Sequence, residues 1–290
     1  MKNPLRYPGA KSKLYEYVRD LIVNENLTGC TFYEPFAGSA TLSWLLLENR
    51  IVDNVRINEK DPLLYFFWEA VFNHTEELIQ KIQRTEISID TWHEQKRFRD
   101  ESYIIDKECV DIGFSTLFLN RTNFSGILKA NPIGGLNQKS DYKIDCRFNK
   151  DKVITQIRNI AKYKSKVSIS NMDALLFMKS ALRYKRNRKT FVYIDPPYYK
   201  EGPGLYRYFY RESQHEELAE FIKTKTYPWL ISYDDVEEIR KLYNRRKCIK
   251  LYLDYSVKTS KKGEEILISN LEIPPMCNEE INGNLSEDLA

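Results

Sequence analysis

The tetrapeptide Asp195-Pro196-Pro197-Tyr198 follows an apolar run, Thr190–Ile194, that is typical of a buried strand. Neither proline donates a backbone hydrogen bond and both have a fixed φ, so the chain leaves the strand along a stiff path. Such an exit would hold a carboxylate, a backbone carbonyl and a tyrosine ring in one fixed arrangement, which can bind an amine and stack on a planar base. The simpler interpretation is an acid that caps a turn on which a tyrosine packs.

A second group of residues could bind a nucleoside cofactor. The small-residue turn Glu34-Pro35-Phe36-Ala37-Gly38-Ser39 follows one predicted strand, and Glu59 follows the next. Small residues let a ligand approach the backbone, and an acid at the tip of the second strand can hold two ribose hydroxyls. The pairing does not separate NAD from other nucleoside cofactors, but the missing Gly-x-Gly-x-x-Gly pattern argues against a nicotinamide dinucleotide.

The elements that would position these residues alternate between strands and helices. Helical spacing predicts a helix over 14–23, and a second helix, capped by Ser39 or Thr41, extends to about Glu48. Asp61 and Pro62 begin a third helix, and Asp234 is expected to cap a later helix that ends near residue 243. Strands are predicted at 31–33, 51–57, 167–169, 190–194, 229–232 and 265–269. This order predicts an α/β fold with a parallel sheet.

The alternation stops between residues 73 and 160, where the sequence is first helical and polar and then rich in loops. One sheet domain with a large insertion explains this pattern more simply than two consecutive domains. We therefore predict a catalytic domain formed by residues 1–72 and 161–273, an insertion at 73–160, and a flexible acidic tail at 274–290.

The composition is that of a globular protein, since 42% of the 290 residues are hydrophobic and 30% are charged. The net charge is +4, and the segment from Glu272 onward contains five acids and no Lys or Arg, so the body is more basic than the total. This charge suits a polyanionic partner without identifying one. We expect no membrane span and no signal peptide. Five widely spaced cysteines argue against a disulfide framework or a CxxC zinc site and predict a cytoplasmic location.

Four motifs occur in a fixed order: Tyr7-Pro8-Gly9-Ala10-Lys11, the turn that begins at Glu34, Asn120-Arg121-Thr122, and the Asp195 tetrapeptide. In this order the chain resembles the DNA adenine-N6 methyltransferases of the Dam family, the D12 class or α type, over residues 3–270. The resemblance implies a Rossmann-like methyltransferase sheet with an inserted, mainly helical target-recognition domain. It also implies an enzyme that transfers a methyl group from S-adenosyl-L-methionine to N6 of an adenine flipped out of double-stranded DNA.

The resemblance further implies a role for each matching position. Glu59 would bind the ribose hydroxyls of the cofactor, and Asp173 would read its adenine amine. The residues implied to contact S-adenosylmethionine are Tyr7, Lys11, Glu34, Phe36, Gly38, Glu59, Asp173 and Asp195. The implied catalytic loop is Asp195, Pro196, Pro197 and Tyr198, without a metal ion.

The segment that begins at Asn120 resembles the part of the family that touches DNA. Its candidate contacts are Asn120, Arg121, Asn123, Lys129 and Asn131, because Arg suits guanine edges and Asn suits adenine edges. Two positions differ from the common family pattern: Ala40 stands where a second glycine is frequent, and the stretch at 138–142 is polar rather than Pro-rich. The implied partners are double-stranded DNA and, functionally, a cognate restriction endonuclease, and the implied oligomeric state is a monomer.

Several alternatives are open at this point. The same chemistry could act on cytosine N4 or on RNA, although an Asp at the head of the tetrapeptide leans towards adenine. A non-catalytic DNA-binding relative would be expected to lack Lys11, Glu59 or an intact tetrapeptide, and all are present. His215 fits a helix start capped by Ser213 and Glu216, or a catalytic group. The cations between residues 183 and 189 fit a solvated loop or a phosphate contact, and those between 240 and 250 fit a solvated helix end.

Overall fold

The structure is a computed structural model that describes residues 2–6, 11–183, 189–200, 202–244, 247–254 and 262–273. Tyr7, most of the basic cluster at 183–189 and the predicted acidic tail lie outside these ranges. The helices are α1 (Tyr15–Asn24), α2 (Thr41–Glu48), α3 (Pro62–Asn73), α4 (Thr75–Arg84), α5 (Ile89–Lys96), α6 (Glu101–Ile104), α7 (Cys109–Thr122), α8 (Lys150–Ala161), α9 (Ala174–Ala181), α10 (Gly202–Leu205), α11 (Glu212–Lys223) and α12 (Glu237–Leu242). None of these helices combines the length and the apolar character that a bilayer span requires.

Within the described ranges, seven strands form one mixed sheet in the order β3-β2-β1-β4-β5-β7-β6. The strands are β1 (Cys30–Glu34), β2 (Val52–Asn58), β3 (Val167–Ser170), β4 (Thr190–Ile194), β5 (Trp229–Asp234), β6 (Lys247–Asp254) and β7 (Lys262–Ser269). Strands β1 to β5 pair in parallel, whereas β7 is antiparallel to both β5 and β6. The predicted α/β fold is confirmed. The prediction of a solvated helix end near Lys250 is wrong, because residues 247–254 form the edge strand β6.

Side chains of the central strands point alternately into two hydrophobic clusters, one on each face of the sheet. Phe32 and Tyr193 belong to the first cluster, and their neighbours Tyr33 and Val192 belong to the second. The first cluster also contains residues of α1 to α8, and the second contains residues of α9, α11 and α12. Because helices cover both faces, these strands are apolar along their whole length rather than at every second position.

The described residues between β2 and β3 belong to no strand of the sheet and include helices α3 to α8. Helix α7 packs closely on α3 at Gly113, where an added Cβ would lie 2.8 Å from the Cβ of Ala70 and 2.9 Å from the carbonyl oxygen of Phe66. The insertion therefore shares one hydrophobic cluster with the sheet. The domain boundaries near residues 73 and 160 stay a prediction.

Two predicted helix caps are wrong in detail. Helix α2 follows Ala40, which has a φ of +48°, and no side chain caps it. The hydroxyls of Ser39 and Thr41 instead bond to each other at 2.9 Å. Helix α11 begins at Glu212, before Ser213, and the side chain of Gln214 accepts a hydrogen bond from the N–H of residue 211 at 3.0 Å.

Candidate active site

The carboxyl ends of β1, β2, β4 and β5 lie at one edge of the sheet, because these strands are parallel. β1 lies between β2 and β4, so the chain turns to opposite sides at this point and leaves a crevice. A pocket opens there with about 1190 Å³ of empty space, part of it open to solvent. The sequence-predicted residues that line this pocket are Lys11, Glu34, Phe36, Gly38, Glu59, Lys129, Asp195 and Pro197. The fold thus brings together most of the residues assigned to the cofactor and to catalysis.

Asp195 directly follows β4, and its side chain is 24% exposed. Ser232 of β5 donates a hydrogen bond to Oδ1 at 2.6 Å, and Nζ of Lys11 lies 3.4 Å from the same oxygen. The hydroxyl of Tyr193 contacts the hydroxyl of Ser232 at 2.8 Å, and both residues are buried. Burial raises the pKa of Asp195 to about 6, while the Lys11 ammonium acts in the opposite direction. Both contacts are made to Oδ1, and within the described ranges no side chain donates to Oδ2, which can accept from an incoming donor.

Tyr198 points its hydroxyl at Glu265, a buried residue of β7. The hydroxyl donates to Oε1 of Glu265 at 2.7 Å, and Nζ of Lys11 donates to the same atom at 2.7 Å. Lys11 Nζ also lies 3.3 Å from the hydroxyl of Tyr198 and 5.2 Å from the centre of its ring. Lys11 and Glu265 therefore both contact the tetrapeptide, Lys11 at Asp195 and Tyr198 and Glu265 at Tyr198.

Asp234, at the end of β5, holds the chain where it leaves the tetrapeptide. Its two carboxylate oxygens accept hydrogen bonds from the N–H of Tyr199 at 2.9 Å and the N–H of Lys200 at 3.2 Å. Burial raises the pKa of Asp234, and the two N–H groups act in the opposite direction. Helix α12 begins at Glu237 without a side-chain cap, so the predicted capping role of Asp234 is wrong.

Glu59 joins the turn after β1 to the end of β2. Its Oε2 accepts the N–H of Gly38 at 2.8 Å, and its Oε1 accepts the N–H of Asp61 at 2.9 Å. Gly38 has a φ of +50°, a left-handed conformation that glycine adopts without strain. Burial raises the pKa of Glu59 to about 7. Each carboxylate oxygen keeps a second lone pair that can accept a ligand hydroxyl.

Glu34 and Phe36 form another part of the pocket wall. Glu34 is buried, and its carboxyl accepts a short hydrogen bond from Ser43 of α2. Burial raises the pKa of Glu34 to about 8, and the nearby Asp195 adds to this effect, so the carboxyl is largely protonated at neutral pH. The ring of Phe36 meets that of Tyr210 edge-on, with 5.3 Å between ring centres.

Asp173 lies beside the pocket, at the start of α9. Its Oδ1 accepts hydrogen bonds from two backbone N–H groups of the helix, and its Oδ2 lies 3.3 Å from Nζ of Lys60. The buried Asn58 fixes this region, because its Nδ2 donates to the carbonyls of Pro35 and Met172 at 3.0 Å each. Asn58 therefore ties the turn after β1 to the loop that carries Asp173.

Residues 206–210 close one side of the pocket. The side chain of Arg207 forms an ion pair with the buried Asp61, with 3.1 Å between Nε and Oδ2, and its Nη1 donates to the carbonyl of Arg99 at 2.8 Å. Lys129 donates to the carbonyl of Tyr206 at 3.0 Å. This loop therefore links the edge of the sheet to two segments of the insertion.

His215 is a buried residue of helix α11 and does not line the pocket. It is 1% exposed, and its Nδ1 lies 2.8 Å from the hydroxyl of Tyr233. Burial lowers its pKa to about 4, so it is neutral at physiological pH. Its position favours the structural interpretation over the catalytic one.

Asn120 and Asn123 are buried in the segment predicted to touch DNA. The amide of Asn120 exchanges two 2.7 Å hydrogen bonds with the backbone of Arg6 and donates to the carbonyl of Gly126 at 2.9 Å. Asn123 accepts a 2.7 Å hydrogen bond from the indole of Trp92 and donates to two carbonyls of the following loop. These amides have no free face for a DNA groove, so the expectation of direct base contacts is replaced by a role in shaping the loop.

The other predicted DNA contacts reach the surface to different extents. Lys129 and Asn131 are exposed, and Arg121 is partly buried, with its Nη2 3.3 Å from Oε1 of Gln156. Burial lowers the pKa of Arg121 to about 10, and the charge of Arg6 acts in the same direction. Phe124, in the same loop, is 45% exposed and was not singled out from the sequence.

Sequence reasoning missed four residues that support the site: Asn58, Arg207, Ser232 and Glu265. Ser232 carries a detectable signal, since it is a polar side chain inside the apolar run 229–233, whereas Asn58 ends a strand that already contains several polar residues. Glu265 also opens an apolar run, but nothing local indicates that its strand is antiparallel and brings it to the catalytic edge. Arg207 lies in a loop whose path the sequence does not determine.

Comparisons with known proteins agree with this arrangement. Residues 7–257 match the family described as D12 class N6 adenine-specific DNA methyltransferase. The Type II methyltransferase M.CviBI from Paramecium bursaria Chlorella virus NC1A is 24% identical over 285 residues, which cover 94% of this chain and 99% of that protein. Among solved structures, the rRNA methyltransferase aviRa from Streptomyces viridochromogenes covers 87% of this chain and 83% of its own at 13% identity. Its TM-score of 0.32 is too low to bear on function.

The family match covers most of the chain and contains the turn after β1, Glu59, the insertion and the intact Asp195 tetrapeptide. It favours adenine in DNA over the alternatives of cytosine N4 and RNA. The chain therefore belongs to the D12 class of N6 adenine-specific DNA methyltransferases.

Proposed function

We propose that the protein transfers the methyl group of S-adenosylmethionine to N6 of an adenine that has been flipped out of double-stranded DNA. The observation that carries this proposal is the orientation of Asp195 at the switch point of the sheet. Ser232 and Lys11 hold one carboxylate oxygen, and the other is available in the pocket.

The chemistry requires such a carboxylate, because the lone pair of adenine N6 is delocalised into the ring and is a poor nucleophile. Hydrogen bonds from the amine to Asp195 and to the carbonyl of Pro196 would favour a pyramidal nitrogen and stabilise the positive charge that develops on it. The nitrogen must then lose a proton, which can leave through the same carboxylate. No covalent enzyme intermediate is needed.

The residues of the pocket fit S-adenosylmethionine. When bound, this cofactor supplies a methyl group on a positively charged sulfur. Glu59 offers lone pairs to ribose hydroxyls, and Phe36 offers an aromatic wall. The carboxylates of Glu59 and Asp195 also suit a cationic ligand. Contacts from Tyr7, which lies outside the described residues, and from Asp173, whose Oδ1 caps α9, stay proposals.

An adenine inside a duplex cannot reach this pocket, so the base must leave the stack. Tyr198 can then stack on it, since two hydrogen-bond partners fix the hydroxyl at the far end of its ring. We assign target recognition to the insertion, where Lys129 and Asn131 are exposed and Lys129 lies in the pocket wall. Asn120 and Asn123 would act by holding the loop that presents them.

The proposal extends to two properties beyond the reaction. A cognate restriction endonuclease is suggested by the relative from Paramecium bursaria Chlorella virus NC1A, which is named a type II methyltransferase. A monomer is expected because one methyl group is transferred to one base in an asymmetric reaction. Light scattering of the protein with and without duplex DNA measures the oligomeric state directly.

The reaction can be tested in a host that lacks DNA methylation. We expect single-molecule sequencing of its DNA to show N6-methyladenine in one short motif when the wild-type chain is expressed. Asp195→Asn should reduce the rate of methyl transfer at least about a hundredfold, because the amine loses its charged acceptor. Asp151→Asn, which changes an exposed carboxylate on α8, is the matched control. Full transfer by Asp195→Asn, or methylation of cytosine only, would refute the proposal.

A further inference from the structure

Glu265 occupies an unusual position for a carboxylate. It lies on the antiparallel strand β7, opposite Asp234 of β5, and is 2% exposed. Burying a carboxylate is costly unless polar partners compensate for the lost hydration. An apolar side chain would satisfy packing at this point of the sheet. Glu265 also lies beyond residues 7–257, so the family match assigns it no role.

Two polar contacts of Glu265 lead to residues of the proposed catalytic site. Its Oε1 accepts hydrogen bonds from Nζ of Lys11 and from the hydroxyl of Tyr198, both at 2.7 Å. Both bonds involve a charged partner, the class of hydrogen bond that is strongest in proteins. The carboxylate therefore fixes the positions of a cation and of an aromatic ring at the same time.

The distances from Lys11 also show how its charge is shared. Nζ lies 2.7 Å from Glu265 but 3.4 Å from Oδ1 of Asp195. The ammonium already lies within ion-pair distance of Asp195, and without the carboxylate of Glu265 it could close further on Oδ1. A close ion pair at Asp195 would compete with the hydrogen bond from the substrate amine.

We propose that Glu265 is a positioning residue for methyl transfer, which fixes the ring of Tyr198 and prevents the ammonium of Lys11 from closing further on Asp195. The proposal rests on the proposed function, because it concerns how the same site holds its substrate base. Glu265 acts through Tyr198, Lys11 and Asp195 and does not itself need to touch the base.

The main test is Glu265→Gln, which keeps the size of the side chain and an acceptor oxygen but removes the charge. We expect kcat to fall about ten- to a hundredfold, as for the loss of hydrogen bonds to a charged group. Glu237→Gln removes a carboxylate from the exposed side of α12 and should leave kcat unchanged. In a Tyr198→Phe background, Glu265→Gln should have a smaller effect than in the wild type, because the contact with the Tyr198 hydroxyl is already lost.

The pH profile separates this role from simple packing. Among the described residues, the charged and titratable groups that act on Asp195 are Lys11, Glu34, Tyr193 and Glu265. Loss of the negative charge of Glu265, and a closer Lys11, both lower the pKa of Asp195. The acid limb of kcat/KM for DNA should therefore move to lower pH in Glu265→Gln. In Glu265→Asp, which keeps the charge but is shorter, kcat should fall while the limb stays in place.

Three results would each overturn the proposal. The first is a kcat of Glu265→Gln equal to that of the control, and the second is a lower rate of Glu265→Gln with an unmoved acid limb. The third is an effect of Glu265→Gln on kcat that is the same with and without the Tyr198 hydroxyl. If Glu265→Gln does not fold, the pH limb and rate of Glu265→Asp decide the question.

Failure of the proposed function would look different, because the wild type would then transfer no methyl group to adenine. In that case, calorimetric titration of wild type and Glu265→Gln with S-adenosylmethionine across pH still measures the charge effect of Glu265, and identical profiles would overturn it.

Discussion

The substitution Ser232→Ala removes one hydroxyl from the support of Asp195 and changes nothing on the surface, since Ser232 is fully buried. In the wild type, this hydroxyl donates to Oδ1 of Asp195 at 2.6 Å and meets the hydroxyl of Tyr193 at 2.8 Å. The variant therefore loses a hydrogen bond to a carboxylate and leaves the Tyr193 hydroxyl without this partner. These two losses have different consequences, one for activity and one for stability.

The magnitudes follow from the two bonds. A hydrogen bond to a charged group contributes about 1.5–3 kcal/mol, so an Asp195 carboxylate that is no longer oriented should lower kcat about 10- to 150-fold. A buried hydroxyl without a partner costs about 1–3 kcal/mol, which should appear as a lower free energy of unfolding. The hydrogen bond from Ser232 also lowers the pKa of Asp195. Its loss should move the acid limb of kcat/KM for DNA to higher pH, opposite to the shift expected for Glu265→Gln.

The assay is transfer of a labelled methyl group to unmethylated duplex DNA across pH, combined with urea unfolding of the same samples. The double variant Ser232→Ala with Tyr193→Phe removes the hydroxyl that the single variant leaves unsatisfied. We expect it to recover most of the lost unfolding free energy but none of the lost rate. Tyr193→Phe alone keeps the Ser232–Asp195 bond and should retain most of the activity.

Two results would refute this reasoning. A rate for Ser232→Ala within about twofold of the wild type, well below the ten-fold effect expected for this bond, would show that Asp195 needs no orientation by Ser232. Recovery of the rate in the double variant would show that the lost activity came from a disturbed core rather than from the missing bond.

Three further predictions test other parts of the site. The affinity for S-adenosylmethionine, measured by calorimetry, should fall below pH 7 by up to about tenfold per pH unit as Glu59 is protonated. Glu59→Gln should bind weakly and with a smaller pH dependence, and an unchanged pH dependence would contradict this role of Glu59. Arg207→Met should lower the free energy of unfolding in urea by about 3 kcal/mol, because it leaves the buried carboxylate of Asp61 without its ion-pair partner. Adding Asp61→Asn should recover most of the loss, and no recovery would contradict the ion pair. Gly126→Ala should lower the free energy of unfolding by at least about 2 kcal/mol. The new Cβ would lie 2.2 Å from the carbonyl oxygen of Arg6, and residue 126 has a φ of +73°. Unchanged stability would contradict this packing.

The sequence predicts the part of the site that depends on parallel strands. Asp195 follows the apolar strand β4, and Glu59 follows β2, whose polar and apolar residues are mixed. Parallel strands place their carboxyl ends at one edge, so the proximity of the two acids follows from the strand pattern. The same reasoning locates the turn at Gly38, since it follows β1 at that edge. For these residues, local sequence and sheet topology agree.

The partners of these residues could not be predicted in the same way. The contact between Lys11 and Glu265 joins residues 254 positions apart and depends on β7 running antiparallel to β5. No local pattern encodes strand direction, because an apolar run looks the same in either orientation. The hydrogen bond from Ser232 to Asp195 likewise depends on the register between β4 and β5.

Residue type alone also gave the wrong environment for two asparagines. Asn120 and Asn123 belong to the segment that resembles a DNA-contacting one, and Asn suits adenine edges, but both amides bond to backbone groups inside the protein. An asparagine has the same donors and acceptors in either setting, so only burial separates the two roles. The exposed position of Lys129 is easier to predict than the positions of the two asparagines, because burying a lysine without a partner is too costly.

The charges of the pocket explain why a cationic ligand suits it. Burial raises the pKa of Asp195 to about 6, of Glu59 to about 7 and of Glu34 to about 8, so each carboxylate is less stable as an anion than it would be in water. A positive charge in the pocket would favour the anionic form of each of these groups, and by linkage the groups that are ionised at neutral pH would bind that charge more tightly. The product of methyl transfer from a sulfonium lacks this charge. The same buried carboxylates that attract the methyl donor should therefore hold the demethylated product less tightly, which favours its release after each transfer.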